Sequence, residues 1–93
     1  MIPKIIHQIY FDLGIGSIEN NNTFFESHNK FKSLEEYKYI LWTEKDCENL
    51  IKSDFNEYFD FYNNFRFEIQ KIDFIRFCIL YKYGGVYVDL DFF

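Results

Sequence analysis

The chain has 93 residues, room for one domain with a modest core, and 48% of them are apolar and 24% aromatic, which excludes a disordered segment. A net charge of −5, with lysines and glutamates interspersed, excludes the basic stripe that a nucleic-acid-binding surface needs. The longest apolar run near the C-terminus is interrupted by Arg76 and is too short to cross a bilayer, so no transmembrane segment is expected.

Alanine is absent, and Phe, Tyr, Ile, Asn and Lys dominate, a pattern of codon bias from an AT-rich genome more than of function. Cys47 and Cys78 fall on separate predicted helices without CxxC spacing, so they read as reduced structural thiols of a reducing compartment. The opening Pro3-Lys4 and strand pattern do not read as a signal peptide, and the expected location is cytoplasmic.

From Ile2 to Phe11 the chain is a nearly continuous apolar, β-branched run, the pattern of a parallel strand covered on both faces. Asp12 to Thr23 reads as loop, with Gly14, Gly16, Ser17 and the Asn20-Asn21-Asn22 cluster as turn formers. Phe24 to about Leu34 is predicted as a short helix. Tyr37 to Trp42 reads as a second strand. Thr43 is the expected N-cap of the next helix, with Glu44 and Asp46 in its first turn, where the helix dipole favours acids. That helix is expected to end near Lys52. Another is expected over Phe55 to Tyr62, with Asp54 and Glu57 spaced like a capping box.

The clearest helix pattern runs from Phe67 to Tyr83 and stops at Gly84, read as a left-handed terminator. Val86-Tyr87-Val88 is a strand, and Asp89-Leu90-Asp91 follows it. The order β, α, β, α, α, α, β predicts one α/β domain over residues 1–93, a mainly parallel sheet flanked by helices. No internal repeat or linker is visible.

On a wheel of about 100° per residue, Ile72, Ile75, Ile79 and Tyr83 of the last helix form one apolar stripe. Asp73 and Arg76, three residues apart, fall within an apolar arc beside it. The plain reading is a buried ion pair that holds the helix; the functional reading is a binding pair in a cleft. Asp89 and Asp91 favour the second. Residues i and i+2 of a strand point the same way, and open α/β sheets bind ligands outside the carboxyl ends of their strands. Two carboxylates there suit Mg²⁺ or Mn²⁺ bridging to phosphates, and the lack of His or Cys beside them argues against zinc. A polar turn after a strand is the bland alternative. A haloacid-dehalogenase-like phosphatase also places D-x-D after an apolar strand, but the Thr or Val it wants shortly after is missing.

IPKIIHQIYF at the start and DFIRFCILYKYGGVYVDLD at the end resemble the sugar-binding region of the DXD-containing glycosyltransferases of family 32, the group of the yeast initiating α-1,6-mannosyltransferase. The resemblance spans nearly the whole chain and is specific at its two ends. It implies the N-terminal portion of a GT-A fold, a Rossmann-like domain that binds a nucleoside diphosphate sugar and a divalent metal. It further implies a retaining transfer of the sugar to a glycan or lipid acceptor. Asp91 would be the metal ligand. Asp89 would contact the ribose, the sugar or the metal. Asp73 and Arg76 match the acid and arginine that hold the donor sugar and its phosphate oxygens. Gly84 and Gly85 match the glycines before the strand, where the backbone passes close to the ligand. Tyr10 stands where the family usually has Trp, and would line the base pocket by stacking unless it is only a core aromatic. His7 reads as a satisfied core histidine rather than a ligand. The family's domain continues past its D-x-D, so the chain is expected to be part of a longer enzyme or a short form that binds a donor without turning it over. A non-catalytic interaction module with an exposed sheet edge is the rival from another class.

Overall fold

The computed structural model describes residues 2–12, 14 and 16–90. Asp91, the expected metal ligand, therefore lies outside the described residues. The architecture is α/β: three parallel strands in one sheet, flanked by helices. The strand order is β2-β1-β3, with β1 at Ile5–Tyr10, β2 at Lys38–Thr43 and β3 at Val86–Tyr87. Ile5 pairs with Lys38 and Tyr10 with Thr43, while Ile6 pairs with Val86 and His7 with Tyr87. The central strand is buried from Ile6 to Tyr10, as its unbroken apolar pattern requires of a strand covered on both faces.

The helices are α1 (Asn22–Lys32), α2 (Glu44–Asp54), α3 (Phe59–Asn63) and α4 (Glu68–Tyr83). They cover opposite faces of the sheet. Successive strand side chains point to opposite sides. Gln8 points to α1, where its amide donates to Ser27 Oγ at 3.0 Å. Ile9, one residue on, joins Trp42 in the main core with Cys47, Leu50 and Ile51 of α2, Tyr62 of α3, and Ile75, Cys78 and Ile79 of α4.

Local signals place the helix starts. Asn21, read as loop, caps α1 by accepting from Phe24 N–H at 3.0 Å. Thr43 caps α2 as expected: its Oγ1 accepts from Asp46 N–H at 3.2 Å, and the Asp46 carboxylate accepts from Thr43 N–H at 3.1 Å. Gln70 reaches back in the same way to Phe67 N–H at the start of α4.

Three expectations are corrected. No helix starts at Asp54: α2 runs through it, the chain leaves helical geometry at Phe55 (φ −137, ψ 35), and a 3₁₀ turn over Asn56–Tyr58 leads into the short α3. Gly84 has the positive φ of 68 that favours glycine, but its ψ of −162 is extended rather than left-handed helical, which turns the chain directly into β3. On α4 the buried residues are Ile75, Cys78 and Ile79, whereas Tyr83 at the end of the expected stripe is 36% exposed. The Tyr83 ring nonetheless lies against His7 of β1 and Trp42 of β2.

Both cysteines are free thiols, buried in the core. Burial pushes Cys78 up to about 11 and Cys47 further, so neither carries thiolate character at neutral pH.

Candidate functional site

β1 leads through α1 to β2 on one side, and the chain then crosses back through α2, α3 and α4 to lay β3 on the other side of β1. The boundary between β1 and β3 is thus the place where the strand order reverses. Ligands of open α/β sheets bind outside the carboxyl ends of the strands at such a point. The carboxyl end of β1 leads to Tyr10, Phe11 and Asp12, and that of β3 to Val88 and Asp89.

Three of the expected site residues gather there around Tyr87, which the sequence reading did not single out. Tyr87 faces α4, and Arg76 of that helix lies over its ring, the guanidinium carbon 5.3 Å from the ring centre. Arg76 also pairs with Asp73 at 3.0 Å. Asp89 follows Tyr87 by two residues, on the same side of the strand, near enough for its charge to act on the Tyr87 hydroxyl. Burial pushes the Tyr87 hydroxyl far above its ordinary pKa. The charge and hydrogen bond of Asp89 add to this, Arg76 opposes it, and Asp73 adds again. The phenol is thus a neutral donor held among two carboxylates and one guanidinium. The alternation of V-Y-V-D was the signal that places Tyr87 and Asp89 together.

The Asp73–Arg76 pair is not the buried ion pair that the helical wheel suggested. The Asp73 side chain is 55% exposed and that of Arg76 36%. The short β3 leaves this part of α4 open to solvent beside the strand end. Both groups are therefore accessible to a ligand.

Tyr10 lies apart from this group in orientation. It alternates with Ile9 and so shares the α1 face with Gln8. Its ring meets Phe24 of α1 edge-on, its hydroxyl donates to the Gly16 carbonyl, and it is 8% exposed. The loop it holds is further tied by Asp12, whose carboxylate accepts from Gly14 N–H and Gly16 N–H, both at 2.9 Å. Tyr10 thus packs as a core aromatic that fixes the loop at the mouth of β1.

Gly85 has a packing reason of its own. Its φ is +91, and a Cβ there would lie 2.5 Å from the Ile5 carbonyl oxygen, so the close approach is to β1. Gly84 abuts the Pro3 ring in the same way, a Cβ there falling 3.0 Å from it.

The expected divalent metal is tested by the donor set. Asp89 presents an exposed carboxylate oxygen at the strand end, the hard donor that Mg²⁺ and Mn²⁺ take. Among the described residues no group of three or more His, Cys, Asp or Glu side chains gathers to hold an ion, and Asp91 is not one of them. The described half of the pair fits the ion. A cavity of about 940 Å³ lies elsewhere, on the outer side of α4 among Phe55, Tyr58, Phe74, Phe77 and Tyr81, and contains none of these residues. Among the described residues no helix is long and apolar enough to cross a membrane.

The sequence matches the family described as "Glycosyltransferase sugar-binding region containing DXD motif" over residues 17–93, and the chain belongs to that family. It is 40% identical over 92 residues to the mannosyl phosphorylinositol ceramide synthase SUR1 of Saccharomyces cerevisiae, covering 98% of this chain and 23% of that protein. It is 34% identical over 92 residues to inositol phosphoceramide mannosyltransferase 3 of Schizosaccharomyces pombe, covering 97% of this chain and 24% of that one. A glycosyltransferase of Acanthamoeba polyphaga mimivirus, L373, is 36% identical over 92 residues, covering 98% of this chain and 36% of its own length. The chain thus spans roughly a quarter to a third of these relatives. No solved structure matches it.

Proposed function

We propose that this member of the DXD glycosyltransferase family is the donor-binding portion of a retaining, metal-dependent transferase that moves a sugar from a nucleoside diphosphate sugar to a glycan or lipid hydroxyl. The observation that carries this reading is the gathering of Asp73, Arg76 and Asp89 on Tyr87 at the strand-order reversal. The relatives named as inositol phosphoceramide mannosyltransferases support a mannosyl donor and an inositol-bearing lipid acceptor.

Negative charge grows on the diphosphate oxygens as the glycosidic bond breaks. Arg76, exposed and oriented by the Tyr87 ring, offers a fixed positive group to those oxygens. Asp73 accepts from Arg76 and keeps a free carboxylate oxygen for a sugar hydroxyl. Tyr87, neutral at its hydroxyl, lies beside the Asp89 carboxylate and can donate to it. Asp89 and Asp91 would hold Mg²⁺ or Mn²⁺, which supplies further positive charge to the diphosphate when bound.

Calorimetric titration with GDP-mannose and with UDP-sugars, in Mn²⁺ and in EDTA, tests the reading. Binding that needs Mn²⁺ and weakens at least ten-fold in Arg76→Ala and Asp89→Asn is expected. Binding that is indifferent to both substitutions refutes the site, and no binding of any nucleotide supports the interaction-module alternative.

A further inference from the structure

We propose that His7 is a positioning residue: its imidazole, held between Trp42 and Gly84, sets the register of β3 on β1 and thereby the place of Asp89. The inference deepens the donor-site reading and rests on it for the functional half of its test.

His7 is wholly buried in the middle of β1. Trp42 donates its indole N–H to His7 Nδ1 at 3.1 Å. The indole nitrogen is a donor only, so Nδ1 carries no hydrogen and the ring is the Nε2–H tautomer. That hydrogen then goes to the Gly84 carbonyl, 2.9 Å from Nε2. The rings of Trp42 and Tyr83 each lie 6.2 Å from the imidazole and 5.7 Å from each other, so they close around it. One side chain of the central strand thus ties β2 to the end of α4.

The tie matters because β3 itself is short. Its ladder to β1 is two residue pairs, extended by Val88 N–H donating to the His7 carbonyl at 3.0 Å. So short a ladder specifies its register weakly, and a slip of one residue turns every side chain to the other face. Such a slip turns Tyr87 and Asp89 toward α1 and away from Arg76 and Asp73. What precedes β3 opposes it. Gly84 lies against Pro3 and Gly85 against the Ile5 carbonyl, both at a positive φ that favours glycine, and at Gly85 a Cβ would clash with the backbone. The His7–Gly84 bond is the directional contact among them, and a one-residue shift of the turn breaks it.

Two substitutions separate the two ends of the imidazole. The longer amide of His7→Gln places a donor near the position of Nε2 and keeps the Gly84 bond. The shorter amide of His7→Asn keeps a partner for Trp42 and loses Gly84. Amide hydrogen exchange reads the register directly. In His7→Asn the Val88 amide is expected to lose protection at least ten-fold while the β2 amides that pair with β1 keep theirs, and Mn²⁺-dependent GDP binding is expected to weaken at least ten-fold. His7→Gln is expected to restore both. Unchanged Val88 protection in a folded His7→Asn, or identical behaviour of the two variants, overturns the proposal. A wild type that binds no nucleotide ends the donor-site reading but leaves the exchange result to decide the register. Should His7→Asn fail to fold, the ring nitrogen shifts of wild-type His7 decide instead: an Nδ1–H tautomer contradicts the tie to Gly84.

Discussion

At the scale of residues, Asp73 and Arg76 show how exposure separates a structural pair from a binding pair. An exposed pair three residues apart on a helix contributes only about 0.2–0.5 kcal/mol to stability. Asp73→Asn is therefore expected to leave the urea midpoint nearly unchanged while weakening nucleotide-sugar binding, whereas a large loss of stability restores the structural reading. Tyr62 makes the opposite case. Its ring is in the core, yet its buried hydroxyl has no hydrogen-bond partner among the described residues. An unpaired buried polar group costs about 1–3 kcal/mol, so Tyr62→Phe is expected to leave the melting temperature unchanged or raise it. A clear fall shows that the hydroxyl is satisfied in solution.

At the scale of elements, the helix starts follow from short-range chemistry. The Thr43–Asp46 box satisfies donors at the first turn of α2, and Thr43→Ala is expected to destabilise the chain by about 0.5–2 kcal/mol in denaturant unfolding. A change well below this means the sheet alone fixes the start of α2. The junction of α4 and β3 follows different rules. Gly85→Ala places a Cβ against the Ile5 carbonyl at a φ that side chains rarely adopt, so it is expected to destabilise more than the Thr43 change. An alanine tolerated there refutes the tight junction.

At the scale of the whole molecule, two imidazoles, His7 buried and His28 half-buried, couple folding to pH. Burial lowers the pKa of His7, with the Gly84 bond opposing. Burial also lowers that of His28, helped by the charge of Lys32 and opposed by Glu19. His28 extends a chain of bonds through Tyr39 to Gln8 in the second layer. The unfolded chain takes up protons near the ordinary value of 6.5, before the folded one does. Their contribution to stability is complete above that pH and is lost as pH falls through the lower folded values. Urea unfolding at pH 7.5 and pH 5.5 is expected to show a lower midpoint in acid, with a smaller difference in His28→Gln. Equal midpoints at the two pH values contradict the lowered pKa of the two rings.

The α/β class, the three strands, the Thr43 cap and the family resemblance were legible in the sequence. Each rests on alternation, periodicity or a motif within a few residues, which local sterics and hydrogen bonding enforce. The pairing of Asp73 with Arg76 was legible too, but its exposure was not. A helical wheel shows which residues share a face and not how much sheet lies opposite. Only the tertiary structure decided that Tyr87 is where Arg76 and Asp89 meet, and that Tyr10 turns to α1. Those outcomes depend on contacts between residues far apart in the chain, among them the bond of His7 to Gly84, and local pattern carries no record of which distant partner wins.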